Sequence, residues 1–207
     1  LVNEPNNSGI LTHIGLIHRK QGNLDQAISR FTRAIQIDND NPVPHRELAM
    51  AYINKGRVDK AIGEFKEALK LEPDNILVNI ELAKAYASQG ISDEAIEAYK
   101  KIITLDPRNS SAHFELGVIY SAQGNSESAI SEFRTVVGLS PTHKRVHLEL
   151  ARQLKITERN DEAIGEYLKA IELDGENAIV YYELGDLYYQ KGNNSEALKM
   201  FEEALKR

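Results

Sequence analysis

His143 and His147 stand four residues apart, a spacing that can present two imidazoles to one metal ion from a single helical face. Five carboxylates, Glu47, Glu81, Glu115, Glu149 and Glu183, recur every 34 residues, with His13 at the first place in the series. Like charges set at a constant step along a wall attract Lys or Arg side chains of a partner. Glutamate is also simply a good helix former, and Lys84, Arg152 and Arg145 sit at helical spacing from these carboxylates and can neutralise them. Asn6, Asn109 and Asn193 each open an Asn-x-Ser triplet, which matters only in a secreted glycoprotein. The sequence contains no GxSxG, HExxH, P-loop or GxGxxG. With no cysteine, it also has no disulfide, thiolate metal site or cysteine nucleophile. The expectation is a non-enzyme with no catalytic residues, no metal and no cofactor.

Composition narrows the class further. The chain has 207 residues, 27% charged and 42% hydrophobic, values of a folded soluble protein rather than a disordered one. Its net charge of −6 argues against a general nucleic-acid binder, which needs a basic face to displace counterions. No apolar run reaches the roughly 18–20 residues that span a bilayer, so no membrane insertion is expected. A cysteine-free chain suits either redox state, and the compartment stays open, with a cytoplasmic setting favoured.

The elements that position these residues follow from one periodicity. Ala27, Ala61, Ala95, Ala129, Ala163 and Ala197 lie 34 apart. Each is followed four residues later by an aromatic: Phe31, Phe65, Tyr99, Phe133, Tyr167 or Phe201. Thirteen residues before each alanine stands Ile14, Leu48, Leu82, Leu116, Leu150 or Leu184, with Gly or Ala directly after it. Within a unit, Leu82, Ala83 and Tyr86 form one helical stripe, Gly90 stops that helix, and Ala95, Ile96, Tyr99 and Ile102 form a second stripe. Each unit therefore predicts two antiparallel helices, and a pair that cannot bury both faces must stack on its neighbours.

This pattern resembles the tetratricopeptide repeat family. With the alanine placed at position 20, the second repeat reads Leu48, Ala49, Tyr52, Gly56, Ala61, Phe65, Ala68 and Pro73, a complete match to the family pattern. The resemblance divides the chain into 8–41, 42–75, 76–109, 110–143, 144–177 and 178–207. It implies an all-α fold, a right-handed α-solenoid of six helix-turn-helix units. Its concave groove, lined by the first helix of each unit, would bind a peptide or a partner helix. The fifth repeat departs from the pattern, with Leu154 for Tyr, Glu158 for Gly and Gly175 for Pro. A left-handed non-glycine costs about 1–2 kcal/mol, so this turn is either the softest joint or differently shaped. Residues 1–7 read as the tail of a preceding repeat, and the chain opens on Leu. The expectation is a segment of a longer protein with at least one more repeat upstream.

By the resemblance, the partner-binding groove takes Arg46, Glu47, Met50, Ile53, Ile80, Glu81 and Lys84, then Phe114, Glu115 and Val118. It continues through Arg145, Leu148, Glu149 and Arg152 to Tyr182, Glu183 and Tyr189. Val43 and Ile179 extend the apolar strip between the carboxylates, although some of these side chains can instead pack against a neighbouring repeat. His147 shares its repeat position with His45 and His113, where the family packs an aromatic, so packing is the expectation for it rather than metal binding. The clamp of Lys, Asn and Arg with which chaperone-binding members hold a C-terminal carboxylate is missing, because position 6, where it needs Asn and Arg, is Glu in every repeat after the first and would repel a carboxylate. The expected function is a protein-protein interaction scaffold for an amphipathic or partly basic segment. A self-assembling homo-oligomer and the substrate-recruiting arm of a larger enzyme are the alternatives.

Overall fold

The computed structural model describes residues 7–207. The segment read above as a preceding repeat's tail lies outside the described residues, apart from Asn7. All regular structure among the described residues is helical, and the chain divides into two compact units, one ending at Pro107 and one beginning at Arg108.

In the first unit α1 (Ser8–Lys20) packs on α2 (Leu24–Ile37), α3 (Pro42–Asn54) on α4 (Val58–Leu71), and α5 (Ile76–Ser88) on α6 (Ser92–Leu105). In the second, α7 (Ser110–Ala122) packs on α8 (Ser126–Leu139), α9 (Lys144–Ile156) on α10 (Asn160–Leu173), and α11 (Ala178–Gln190) on α12 (Asn194–Leu205). Within each unit the second helix of a pair also packs against the first helix of the next pair.

Side-chain caps start the first helices. Asn7, Asn41, Asn75, Asn109 and Asn177 accept backbone N–H bonds at the heads of α1, α3, α5, α7 and α11. His143 takes this role for α9, its Nδ1 accepting from the Val146 N–H at 3.2 Å. Five of these helices stop at glycines with φ between +71° and +79°, and the fifth-repeat helix α9 stops at Glu158 with φ +59°. The turn after α9 thus keeps the shape of the others, with the Arg159 N–H closing on the Leu154 carbonyl at 2.9 Å, and a side chain carries the left-handed strain.

The repeated small residues and aromatics make the core. Ala129, Ala163, Phe133 and Tyr167 are fully buried in the second unit, as are Ala27, Ala61, Phe31 and Phe65 in the first. Gly117, inside α7, shows why the position facing the aromatic of the second helix must stay small: a Cβ there would lie 2.6 Å from Phe133 Cε1.

Candidate functional site

In the first unit, Glu47 is 7% exposed and already satisfied by cations. Arg19 on α1 donates to Glu47 Oε2 at 2.8 Å, and Arg46 donates through Nε and Nη2 to Oε1 at 3.1 and 3.0 Å. Glu81 accepts from Lys84 at 2.9 Å, one turn further along α5. Met50, Ile53 and Ile80 are half-buried.

The second unit builds a longer network. The Arg152 guanidinium donates to both oxygens of Glu183 on α11, with Nη2 to Oε1 at 2.6 Å and Nε to Oε2 at 3.0 Å. Its Nη1 donates to Glu149 at 3.1 Å. The bonds to Glu183 raise the Arg152 pKa further, although burial opposes them. The buried Tyr167 hydroxyl on α10 donates to Glu183 Oε2 at 3.0 Å. Burial, reinforced by the charge on Glu183, pushes its phenol well above the ordinary tyrosine range. Next to this network, Lys155 donates to Asp186 at 2.5 Å.

Glu149, Arg152, Lys155, Tyr167 and Glu183 line an open groove of about 840 Å³ formed within the second unit by α7, α9, α10, α11 and the turn after α9. Glu149, Arg152 and Glu183 are the expected residues that reach it. Glu115 is exposed elsewhere on α7, and Val118 is half-buried. Phe114 and Leu148 belong to the buried core. Arg145, four residues before Glu149, lies over the Phe114 ring at 5.2 Å from its centroid. Tyr182 and Tyr189 are 61% and 64% exposed. Tyr182 borders a separate apolar recess of about 440 Å³ between α11 and α12, together with Ile179, Phe201 and Leu205.

The histidines have structural work. His147 Nδ1 lies 2.7 Å from Glu166 Oε2 and its Nε2 lies 3.0 Å from the Pro141 carbonyl, so both ring nitrogens face acceptors. His45 pairs with Glu64 at 2.7 Å and His113 with Glu132 at 2.6 Å, each across the same two helices of its own pair. Sequence reasoning expected aromatic-type packing here and missed the carboxylate partner. A signal was present: where the histidine gives way to Leu11, Asn79 or Tyr181, the residue 19 further on is Arg30, Ala98 or Met200 rather than Glu. Among the described residues no group of three or more His, Asp or Glu side chains is placed to hold a metal ion. No helix among them is long and apolar enough to cross a membrane.

Comparison with known proteins follows the same periodicity. Tetratricopeptide repeat descriptions match residues 8–72, 46–110, 80–144 and 178–207, and a TPR repeat description matches 151–192. The chain belongs to the tetratricopeptide repeat (TPR) family. Its fold class is the all-α TPR solenoid. The crystal structure of MamA superposes with a TM-score of 0.74 at 28% identity, covering 77% of this chain and 93% of that one. YrrB, described as a TPR protein with an unusual peptide-binding site, gives a TM-score of 0.75 at 20% identity, covering 85% of this TPR chain and 91% of its own. PilF of Pseudomonas aeruginosa gives 0.70 at 22%, covering 93% and 88%. A search of curated protein sequences returns no match.

Proposed function

We propose that this TPR protein is a non-catalytic interaction scaffold, and that the groove of its second unit holds a segment of a partner polypeptide. The observation that carries this reading is the open groove of about 840 Å³ between α7, α9 and α11, lined by charged and amide side chains from several helices. Its cations are already paired, Arg152 with Glu149 and Glu183, and Lys155 with Asp186. The carboxylates among these groups outnumber the cations, which favours a partner segment carrying positive charge. YrrB, a structure of the same fold, is described as having a peptide-binding site, which agrees with this use of the fold.

Peptides selected from a random library on the immobilised protein test the reading. Selected sequences should be rich in Lys or Arg and should bind less tightly as salt rises. Glu149→Lys should weaken them at least tenfold while leaving the helical circular dichroism unchanged. Selected peptides indifferent to both salt and Glu149→Lys would remove the groove from the account.

A further inference from the structure

Within α9 and the turn after it, the fifth repeat departs from the other repeats at three places. Tyr52, Tyr86, Tyr120 and Tyr188, with His18 in the first repeat, fill the position that is Leu154 here, a fully buried core residue. Glu158 replaces glycine, keeps the left-handed backbone at φ +59°, and lines the groove. Gln153 occupies a position that is Ile17, Ala51, Ala85, Ile119 and Leu187 in the other repeats.

Gln153 is the anomaly that points to a ligand. It is 4% exposed and also lines the groove. Its Nε2 donates to Ser121 Oγ at 2.7 Å, while its Oε1 is buried with no hydrogen-bond partner. A buried carboxamide oxygen without a donor is destabilising, and here every other repeat shows that an apolar residue would fit. Strain at Glu158 and an unfilled acceptor at Gln153 thus meet in one groove, a combination that a structural role for either residue does not explain. The Ser121 hydroxyl can donate or accept, so the amide can present either end to a ligand. The charges around it decide which: Glu149, Glu158 and Glu183 line the same groove, against Arg152 and Lys155, and Lys155 is held by Asp186.

We infer that this niche receives a guanidinium, the side chain of an arginine in the bound polypeptide, which donates one N–H to Gln153 Oε1 and others to a groove carboxylate. The inference rests on the reading of the groove as a polypeptide site. Guanidinium fits better than ammonium because its planar fork serves an amide oxygen and a carboxylate at once, with fixed geometry. Glu158 is the free carboxylate of choice, since Glu149 and Glu183 are engaged by Arg152.

The test uses the whole chain, isotope-labelled, and N-acetyl-arginine methylamide as probe, with the lysine and glutamate analogues in parallel. The arginine probe should shift the Gln153 side-chain amide and the Glu158 backbone amide saturably at millimolar concentration. Gln153→Leu, which installs the residue found as Leu187 in the next repeat, should weaken that binding at least tenfold and raise the thermal midpoint. An arginine probe that leaves Gln153 unmoved, a glutamate probe that moves it, a lysine probe that moves it equally, or unchanged binding by Gln153→Leu would each overturn the assignment. The groove reading is separable: library-selected peptides that still bind Gln153→Leu with unchanged affinity leave the groove standing and remove only the arginine niche. A niche that takes the arginine probe in a protein that captures no peptide does the reverse.

Discussion

Arg152 and Glu183, 31 residues apart on α9 and α11, meet through three N–H···O contacts of 2.6 to 3.1 Å, so a carboxylate of one helix pair is clamped by the guanidinium of the pair before it within the second unit. Arg19 and Glu47 do the same in the first unit at 2.8 Å. Glu47 and Glu183 therefore act as joints between helix pairs, whereas Glu81 and Glu149 are bonded within their own helices. A double-mutant cycle of Arg152→Met and Glu183→Gln should show a coupling of about 1–2 kcal/mol in chemical denaturation, reduced from the value of a fully buried pair by solvent. Additive single effects would mean that the contact contributes no energy.

Tyr167 makes this joint sensitive to alkali. Its phenol keeps its proton in the folded chain above the pH at which a free tyrosine ionises, because it is buried and bonded to Glu183. The folded pKa is raised, so the stabilisation is complete below about pH 10 and falls as pH climbs past it, since only the unfolded chain releases the proton there. Tyr167→Phe should flatten the loss of stability above pH 10, measured by urea unfolding at a series of pH values. An identical slope in the variant would contradict the assignment.

Glu158 carries a backbone conformation that glycine adopts without strain at Gly56 and Gly90. Glu158→Gly should stabilise the chain by about 1 kcal/mol, seen as a higher urea midpoint at an unchanged m-value. The reverse change at Gly56, to Ala, should cost a similar amount. If Glu158 also serves a ligand, the stabilised variant binds peptides less well, a trade often met at functional positions.

Gly117→Ala brings a methyl group into the Phe133 ring at 2.6 Å, a contact that the fully buried ring cannot relieve by turning outward. The cost should be about 1–3 kcal/mol, recovered in part by Phe133→Leu. A neutral Gly117→Ala would show that the helices can separate locally.

Much of this architecture was legible in the sequence because a constant period of 34 places glycine stops, buried alanines and aromatics in phase, and each has a local cause. At Glu158 the sequence left a strained turn and a differently shaped one both open, and the left-handed φ of +59° is the first of these. The partners of Glu47 and Glu183 were not, since Arg19 and the engaged face of Arg152 come from a neighbouring helix, beyond any three- or four-residue window. Lys84 with Glu81 fell inside such a window and is found at 2.9 Å, whereas Arg145 lies over Phe114. The histidine–glutamate pairs span 19 residues and were hidden by reading one helix at a time. His147→Phe, which keeps the ring but strands Glu166 and the Pro141 carbonyl, should cost about 1–3 kcal/mol in thermal or urea unfolding. Full stability in that variant would reduce the pair to packing.

The most direct trial of the scaffold reading is a chemical-shift map of the full chain titrated with a library-selected peptide. Saturable shifts are expected to concentrate on Glu149, Arg152, Glu183 and Gln190. Shifts confined to the outer face of the second helices, around Arg134, Glu162 and Lys169, would place the binding surface elsewhere and contradict it.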